Sequence, residues 1–405
     1  MKKIIYVIAM LFGLASSVTF AQDWPQWRGI NRDGNVVDFK APKIWPQELK
    51  QQWKIMVGLG DSSPILIGNK LYVFARQDSF EILFCLDAKS GKELWRDQYE
   101  AINVKGASAA LHSGPRSTPV YSEGKIVTLG VGGVLSCINA ANGKLIWRKE
   151  NTTNLVPQFY TGTSPVIEEN TVFVHLGGKA SGVISAFDLN SGQEKWTWIG
   201  EGPSYSSPII MNMQDEEQVI FVTEKNTIGL DPDNGKVLWQ VETIPQNRFY
   251  NAPSPVMEGQ TMFFTGGGMG TRAFQVLKQG DIFVTKDIWN NAEVGAKYCT
   301  PVINQGLIYG ISDKRKFYCM DATRGLTVWV DTTMFSDFGS MVNCGSVILA
   351  IPGKTDLLVI SPDQTKYSEV ARYKVSDNPI YTYPIIAGSR IYIKDKESVM
   401  QYRID

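Results

Sequence analysis

The chain has 405 residues, of which 43% are hydrophobic and 20% charged, with 40 basic and 40 acidic side chains in balance. That is the composition of a globular protein with a large core, and it excludes a disordered chain or a collagen-like one. With no basic run and no net charge, nothing in it attracts nucleic acid or an anionic membrane surface.

In chain order the first element is a leader. Lys2 and Lys3 precede an apolar stretch from Ile4 to Leu14, and Thr19-Phe20-Ala21 supplies a small-residue cleavage site, so residues 1–21 read as a signal peptide. The apolar stretch is short for a membrane span, and no cysteine follows it to carry a lipid. The mature chain, with a charge of about −2 once the leader's lysines are gone, is expected in the periplasm or outside the cell. Residues 22–50 form an N-terminal segment expected to pack on the main domain, with Trp24 and Trp27 on its outside or base.

From residue 51 onward one phrase recurs. It runs Leu86-Asp87-Ala88-Lys89-Ser90-Gly91-Lys92-Glu93-Leu94-Trp95, then Ile138-Asn139-Ala140-Ala141-Asn142-Gly143-Lys144-Leu145-Ile146-Trp147, with further copies ending at Trp196, Trp239 and Trp329 and a worn one at Trp289. Ahead of each copy stands a Ser/Thr-Pro, at Pro64, Pro119, Pro165, Pro208, Pro255 and Pro301. A period of about 40 to 55 residues is that of one propeller blade or solenoid unit. Within 117–147 the spacing predicts strands at 118–121, 125–129, 134–138 and 144–148, with Ala141-Asn142-Gly143 as the last hairpin turn. The Asp or Asn before each turn can accept from nearby backbone amides, and the tryptophan can cover the seam to the next blade.

Four antiparallel strands repeated radially make a β-propeller. Residues 51–405 are therefore expected to form an all-β domain, a single propeller of about eight four-stranded blades, with seven still open. Cys344 to Val375 keeps the strand lengths without the tryptophan, and Tyr383 to Ile404 supplies only three strands. The missing outer strand of that last blade is assigned to Gln51-Gln52-Trp53-Lys54, which removes an exposed sheet edge.

Of the five cysteines, Cys85, Cys137 and Cys319 share one position of the repeat, as small buried hydrophobes. Cys299 and Cys344 occupy equivalent sites of neighbouring blades, usually too far apart to bridge, and whether they pair is left open. Asp231-Pro232-Asp233-Asn234-Gly235 coincides with a hairpin turn and has the wrong spacing for a calcium loop. His112 and His175 are the only histidines and carry no metal or nucleophile motif, so no catalytic or metal-ligating residue is assigned.

The sharper signal is positional. In a propeller the chain reaches every innermost strand from one face, around the axis, and here those lead-in stretches carry Asp61, Arg116, Tyr160, Tyr205, Tyr250, Asn251, Lys297, Tyr298 and Tyr381. Converging, they would make a funnel with rings for stacking and cations for an anionic or carbonyl-bearing ligand. Otherwise the tyrosines pack between blades with their hydroxyls on the backbone.

The phrase Asp-Ala-x-x-Gly-Lys-x-x-Trp resembles the repeat of the pyrroloquinoline-quinone (PQQ)-like β-propellers, which include quinoprotein alcohol dehydrogenases and the outer-membrane assembly lipoprotein BamB. The start Asp23-Trp24-Pro25-Gln26-Trp27-Arg28-Gly29 is similar to the opening of exported members. The resemblance implies the fold over nearly the whole chain and leaves function open, because many functions share the scaffold. The adjacent cysteine pair of the dehydrogenases is absent, their calcium-ligating Glu, Asn and Asp have no matching positions, and the BamB lipidation cysteine is missing. The favoured reading is a monomeric, exported, non-catalytic BamB-like scaffold without cofactor. It would bind an envelope protein, or a small-molecule or carbohydrate ligand, at the funnel face. The alternative is an oxidoreductase acting on an alcohol or sugar, with PQQ and calcium in the channel and Asp61, Arg116 and Lys297 at its mouth.

Overall fold

The structure, a computed structural model, describes residues 23–213, 216–246 and 250–404; the leader read in residues 1–21 lies outside them. Among the described residues thirty-two strands form eight separate four-stranded antiparallel sheets, so the propeller has eight blades. The second blade shows how closely periodicity dictates structure. Its strands are Val120–Ser122, Lys125–Leu129, Leu135–Asn139 and Leu145–Lys149, each within two residues of expectation. Its innermost strand is short and its middle ones almost wholly buried, while the outer one is exposed to half-buried.

The repeated phrase is a device for joining blades. Asp87, Asn139, Asp188, Asp231 and Asp321 each accept backbone N–H bonds from the turn that follows, as from Ser90 at 2.8 Å and Ser191 at 2.7 Å. The Ser90 hydroxyl at Asp87, the Ser191 N–H at Asp188 and, against a larger opposing cost of burial, the Arg324 guanidinium at Asp321 hold these carboxyls below the ordinary carboxylate range. The chain then turns through a left-handed glycine on which the tryptophan of the preceding blade lies. A Cβ placed at Gly143 (φ +73°) would stand 2.6 Å from the Trp95 ring. The same contact pairs Gly91 with Trp53, Gly192 with Trp147, Gly235 with Trp196 and Gly325 with Trp289.

Trp147, Trp196 and Trp289 also donate their indole N–H to a carbonyl of that next turn, at 2.9, 2.7 and 2.9 Å. Opposite each indole in its own sheet stands a small residue: Cys85, Cys137, Ala186, Gly229, Ala273 or Cys319. This is the physical reason for the recurring cysteine, which fills the space beneath the ring. All five cysteines are buried and free, Cys299 and Cys344 included.

The exceptions follow from local sequence. The fifth blade has a long hairpin, Gly270–Gln279 to Ile282–Asn291, in place of the Asp-to-Gly turn. Trp239 therefore lacks a glycine platform and donates to Gln218 Oε1 of its own blade at 2.6 Å.

The ring closes at strand Lys50–Met56, which pairs with Ser398–Arg403 as the outer strand of the eighth blade. Trp53 takes the tryptophan position there and rests on Gly91 of the first blade. Phe39 and Trp45 of the N-terminal segment pack on the cluster shared by the seventh, eighth and first blades. There the Tyr373 hydroxyl donates to Pro46 O at 2.8 Å.

Candidate functional site at the propeller axis

The innermost strands of the first seven blades are approached through or begin at a Ser/Thr residue and that of the eighth through Tyr383, and these residues link blade to blade around the axis. Thr118 N donates to Ser164 Oγ, Ser164 N to Ser207 Oγ and Ser254 N to Thr300 Oγ1, all at 3.0 Å. Tyr383 N donates to Ser63 Oγ at 2.9 Å, and Ser340 Oγ to Thr382 O at 2.7 Å. This belt fixes the depth of the extended residues before it, whose side chains alternate in direction. The residue two places upstream of each belt position faces one central cavity. In blade order these are Asp61, Arg116, Gly162, Tyr205, Ala252, Tyr298, Phe338 and Tyr381, and all eight line a cavity of about 510 Å³.

The same register sorts the sequence-predicted residues except Tyr160, where a left-handed backbone (φ +64°) interrupts it. Asp61, Arg116, Tyr205, Tyr250, Tyr298 and Tyr381 line the cavity. Tyr160 turns away, its hydroxyl accepting from Lys105 N at 2.7 Å, and its neighbour Phe159 takes the wall. Asn251 is buried and straps the fourth blade, donating to Thr223 O at 3.0 Å and Thr243 O at 2.9 Å. Lys297 is ion-paired to Asp337 at 2.9 Å and lies over the Tyr298 ring. Counting back two from each belt residue would have found Phe338, and also Gly162 and Ala252, which carry no ring or charge.

The wall from the third blade round to the eighth is aromatic. Phe159 and Tyr205 both meet Tyr250 edge to face, with centroids 5.4 and 5.7 Å apart, and Tyr298 stacks on Phe338 at 4.4 Å and 8°. Ligand wall and blade packing coincide here: the Tyr205 hydroxyl accepts from Phe159 N at 3.0 Å while its ring lines the cavity.

The floor comes from the N-terminal segment. Trp27 lines the cavity, and Arg28 and Arg32, both in left-handed backbone, lie against its ring at 5.5 and 5.4 Å. Arg28 is fully buried and donates to Thr300 O, Pro301 O and Asp33 O at 3.0, 2.8 and 2.7 Å. Arg32 donates to Gln26 Oε1 at 3.0 Å and Pro165 O at 3.1 Å, and burial pulls its value down to about 9. The segment thus reaches the axis itself rather than the outside of the ring. Its local signal is the pair Gly29 and Gly34, both at positive φ, which let the chain turn tightly between arginines.

The polar corner lies at the first and second blades. His112 Nδ1 meets Asp61 Oδ2 at 2.6 Å, and the His112 ring stands edge-on to Tyr381 at 4.9 Å. Arg116 donates to the His112 carbonyl at 2.7 Å; burial lowers its value, opposed first by the Asp61 charge. Behind Asp61, fully buried Lys394 donates to Gly60 O and Asp395 O, and desolvation brings it down to about 8 against the pull of Asp61 and Asp395. His112 and Asp61 are 51 residues apart, a separation that no local motif marks. The other histidine, His175, is buried in the third blade, and burial pushes it down to about 4.

The donor set does not fit PQQ with calcium. The cofactor carries three carboxylates, and calcium takes six to eight oxygen ligands. The lining offers one carboxylate, already held by His112, and one guanidinium. Among the described residues no group of three or more His, Cys, Asp or Glu could hold a metal ion.

Comparison with known proteins places this geometry. The family described as outer membrane protein assembly factor BamB matches residues 79–331. The chain is 21% identical over 364 residues to BamB of Burkholderia pseudomallei, covering 85% of each. It is 26% identical over 220 residues to the quinoprotein glucose dehydrogenase of Escherichia coli, covering 44% of this chain and only 27% of that enzyme. A europium-containing methanol dehydrogenase superposes with a TM-score of 0.70 at 13% identity, over 94% of this chain and 98% of that one, a likeness of fold alone. With more than half of its length matched by that family, the chain belongs to the BamB family of PQQ-like β-propellers.

Proposed function

We propose that this protein is an exported, BamB-like binding propeller that captures a small ring-bearing molecule in its axial funnel. The observation that supports this reading is the convergence of one lead-in residue from every blade on one cavity, closed below by Trp27. At about 510 Å³ the cavity is of the size that encloses a small organic ligand. Phe159, Tyr205, Tyr250 and the Tyr298–Phe338 stack offer ring faces and edges to a sugar or an aromatic group, while Asp61, His112 and Arg116 orient its polar end. Its rim leaves room for an envelope protein partner of the kind that BamB's name suggests.

The test is thermal unfolding of the mature protein against oligosaccharides, aryl glycosides and simple aromatics, with PQQ plus calcium as a separate arm. A ligand that binds only the folded state raises Tm by an amount set by its concentration over Kd. The expected outcome is a rise with ring compounds that Tyr250→Ala abolishes. A rise with PQQ and calcium alone would favour the quinoprotein reading instead. No rise with any compound, together with retention of one envelope protein by the immobilised propeller, would favour the scaffold reading.

A further inference from the structure

The Asp61–His112 pair has the arrangement of a general base. A carboxylate can only accept, so at 2.6 Å the imidazole proton sits on Nδ1. In the neutral ring Nε2, on the far side, then carries the lone pair; it has no hydrogen-bond partner among the described residues, and His112 lines the cavity. Three further contacts hold the pair. The Asp61 backbone N–H donates to Pro115 O at 2.8 Å, the His112 carbonyl accepts from Arg116 Nη2 at 2.7 Å, and Tyr381 stands edge-on to the imidazole at 4.9 Å. The pair joins residues ahead of the first innermost strand to residues ahead of the second, so blade packing itself sets the geometry. Arg116 spends one N–H on the His112 carbonyl and lines the same cavity, where its other donors can meet a developing oxyanion.

Resting on the binding reading above, we infer that the cavity is hydrolytic toward carboxylic esters that carry an aromatic ring, with His112 as the general base and Arg116 as the oxyanion contact. The ring lies on the aromatic wall and the acyl group against the polar corner. His112 Nε2 takes a proton from a water molecule as the water oxygen bonds to the carbonyl carbon. The carbonyl π pair moves onto its oxygen, facing the Arg116 guanidinium. The tetrahedral adduct then collapses, the bond from the acyl carbon to the alcohol oxygen breaks, and His112 returns the proton to the departing oxygen. Ester and water become acid and alcohol with no change of oxidation state. Asp61 touches no reacting atom; it is a positioning residue that fixes the tautomer and supports the imidazolium.

The experiment uses p-nitrophenyl acetate as substrate and 4-nitroanisole, which has the ring without the ester, as a binding probe, with the mature full chain. Expected are saturable release of p-nitrophenol and calorimetric binding of 4-nitroanisole. His112→Gly should lower kcat about 100-fold or more, the usual scale of general-base catalysis, and added imidazole should restore part of it. Asp61→Asn should lower kcat with KM little changed. Circular dichroism and Tm of His112→Gly, and the near-isosteric His112→Gln as a second variant, separate lost chemistry from lost fold.

Release that His112→Gly and His112→Gln leave unchanged would overturn the inference, because surface nucleophiles would then be responsible. A burst of p-nitrophenol with acylated His112 would overturn the general-base role in favour of a nucleophile. Binding of 4-nitroanisole without ester turnover would sink the hydrolytic inference and leave the binding reading intact. Absence of both would sink both.

Discussion

At the rim of this propeller the same contact recurs: Trp53, Trp95, Trp147, Trp196 and Trp289 each rest on the turn glycine of the next blade. At the axis the backbone register is just as regular, but the side chains are not. Two charged residues, Asp61 and Arg116, face the cavity from the first two blades, small residues from the third and fifth, and rings from the others. Repetition at the rim gives five of the eight seams one common contact, and with it a common angle between those blades. Variation at the axis is tolerated because each lining residue packs on its own local partners, as Tyr298 does on Phe338, and not on a contact that recurs in every blade. A repeat fold can therefore hold an asymmetric site without disturbing its symmetric frame.

This contrast can be broken most severely at a seam. Trp95→Ala should cost about 3–5 kcal/mol, the range for an excised large aromatic. Gly143→Val should approach that loss by forcing a side chain into the Trp95 ring at positive φ. Gly68→Ala is the control, since its φ is +57° but nothing lies within 4 Å of the added Cβ; a penalty of about 1 kcal/mol is expected. Urea unfolding of the three variants checks the order, and a Gly143→Val loss no larger than that of Gly68→Ala would refute the seam account.

Next in size is the plug beneath the cavity. Arg28→Ala leaves the buried carbonyls of Thr300 and Pro301 without their donor and should cost about 3 kcal/mol. It should also weaken ring ligands by unsettling Trp27, a joint loss that Trp95→Ala would not show in calorimetry.

A pH effect of about 3 kcal/mol is expected from His175, whose value falls from 6.5 to about 4 on burial. The unfolded chain takes up the proton first, so this stability is present above about 6.5 and lost as the pH falls toward about 4. His175→Leu should flatten the fall of Tm across that window; an unchanged slope would show that other groups cause it. The smallest effect is expected at Lys297. Its ion pair with Asp337 is partly exposed, so Lys297→Ala should change stability by less than about 1 kcal/mol and leave ring binding within twofold.

The sequence disclosed the rim almost fully, because a phrase that must fit the same seam in blade after blade leaves a periodic trace. Even the closing strand was legible through Trp53, which supplies an indole where the last three strands lack one. The axis was legible only as a set of stretches. Tyr160, Asn251 and Lys297 share those stretches with residues that do face the cavity; the alternation of extended backbone separates Asn251 and Lys297 from Tyr250 and Tyr298, and a left-handed turn at Tyr160 (φ +64°) puts Phe159 on the wall in its place. The Asp61–His112 contact left no trace, because two blades must assemble before the residues meet. Trp27 was legible as part of a family-like opening, while its place at the axis depends on tertiary bonds made by Arg28 and Arg32.

The strand that closes the ring also sets an order of events during synthesis. Gln51 and Tyr402, 351 positions apart, meet through the tyrosine hydroxyl in the sheet of the eighth blade. The closing strand leaves the ribosome first and has no partner until the last strand is made. Joining the ends of so long a loop costs ~5 kcal/mol of chain entropy beyond a constant, a cost that falls as the intervening blades stack and bring the ends together. The chain is thus threaded to finish in one step: until its final residues arrive the first strand stays an open edge, and truncating even the last strand would return the whole ring to an unclosed arc.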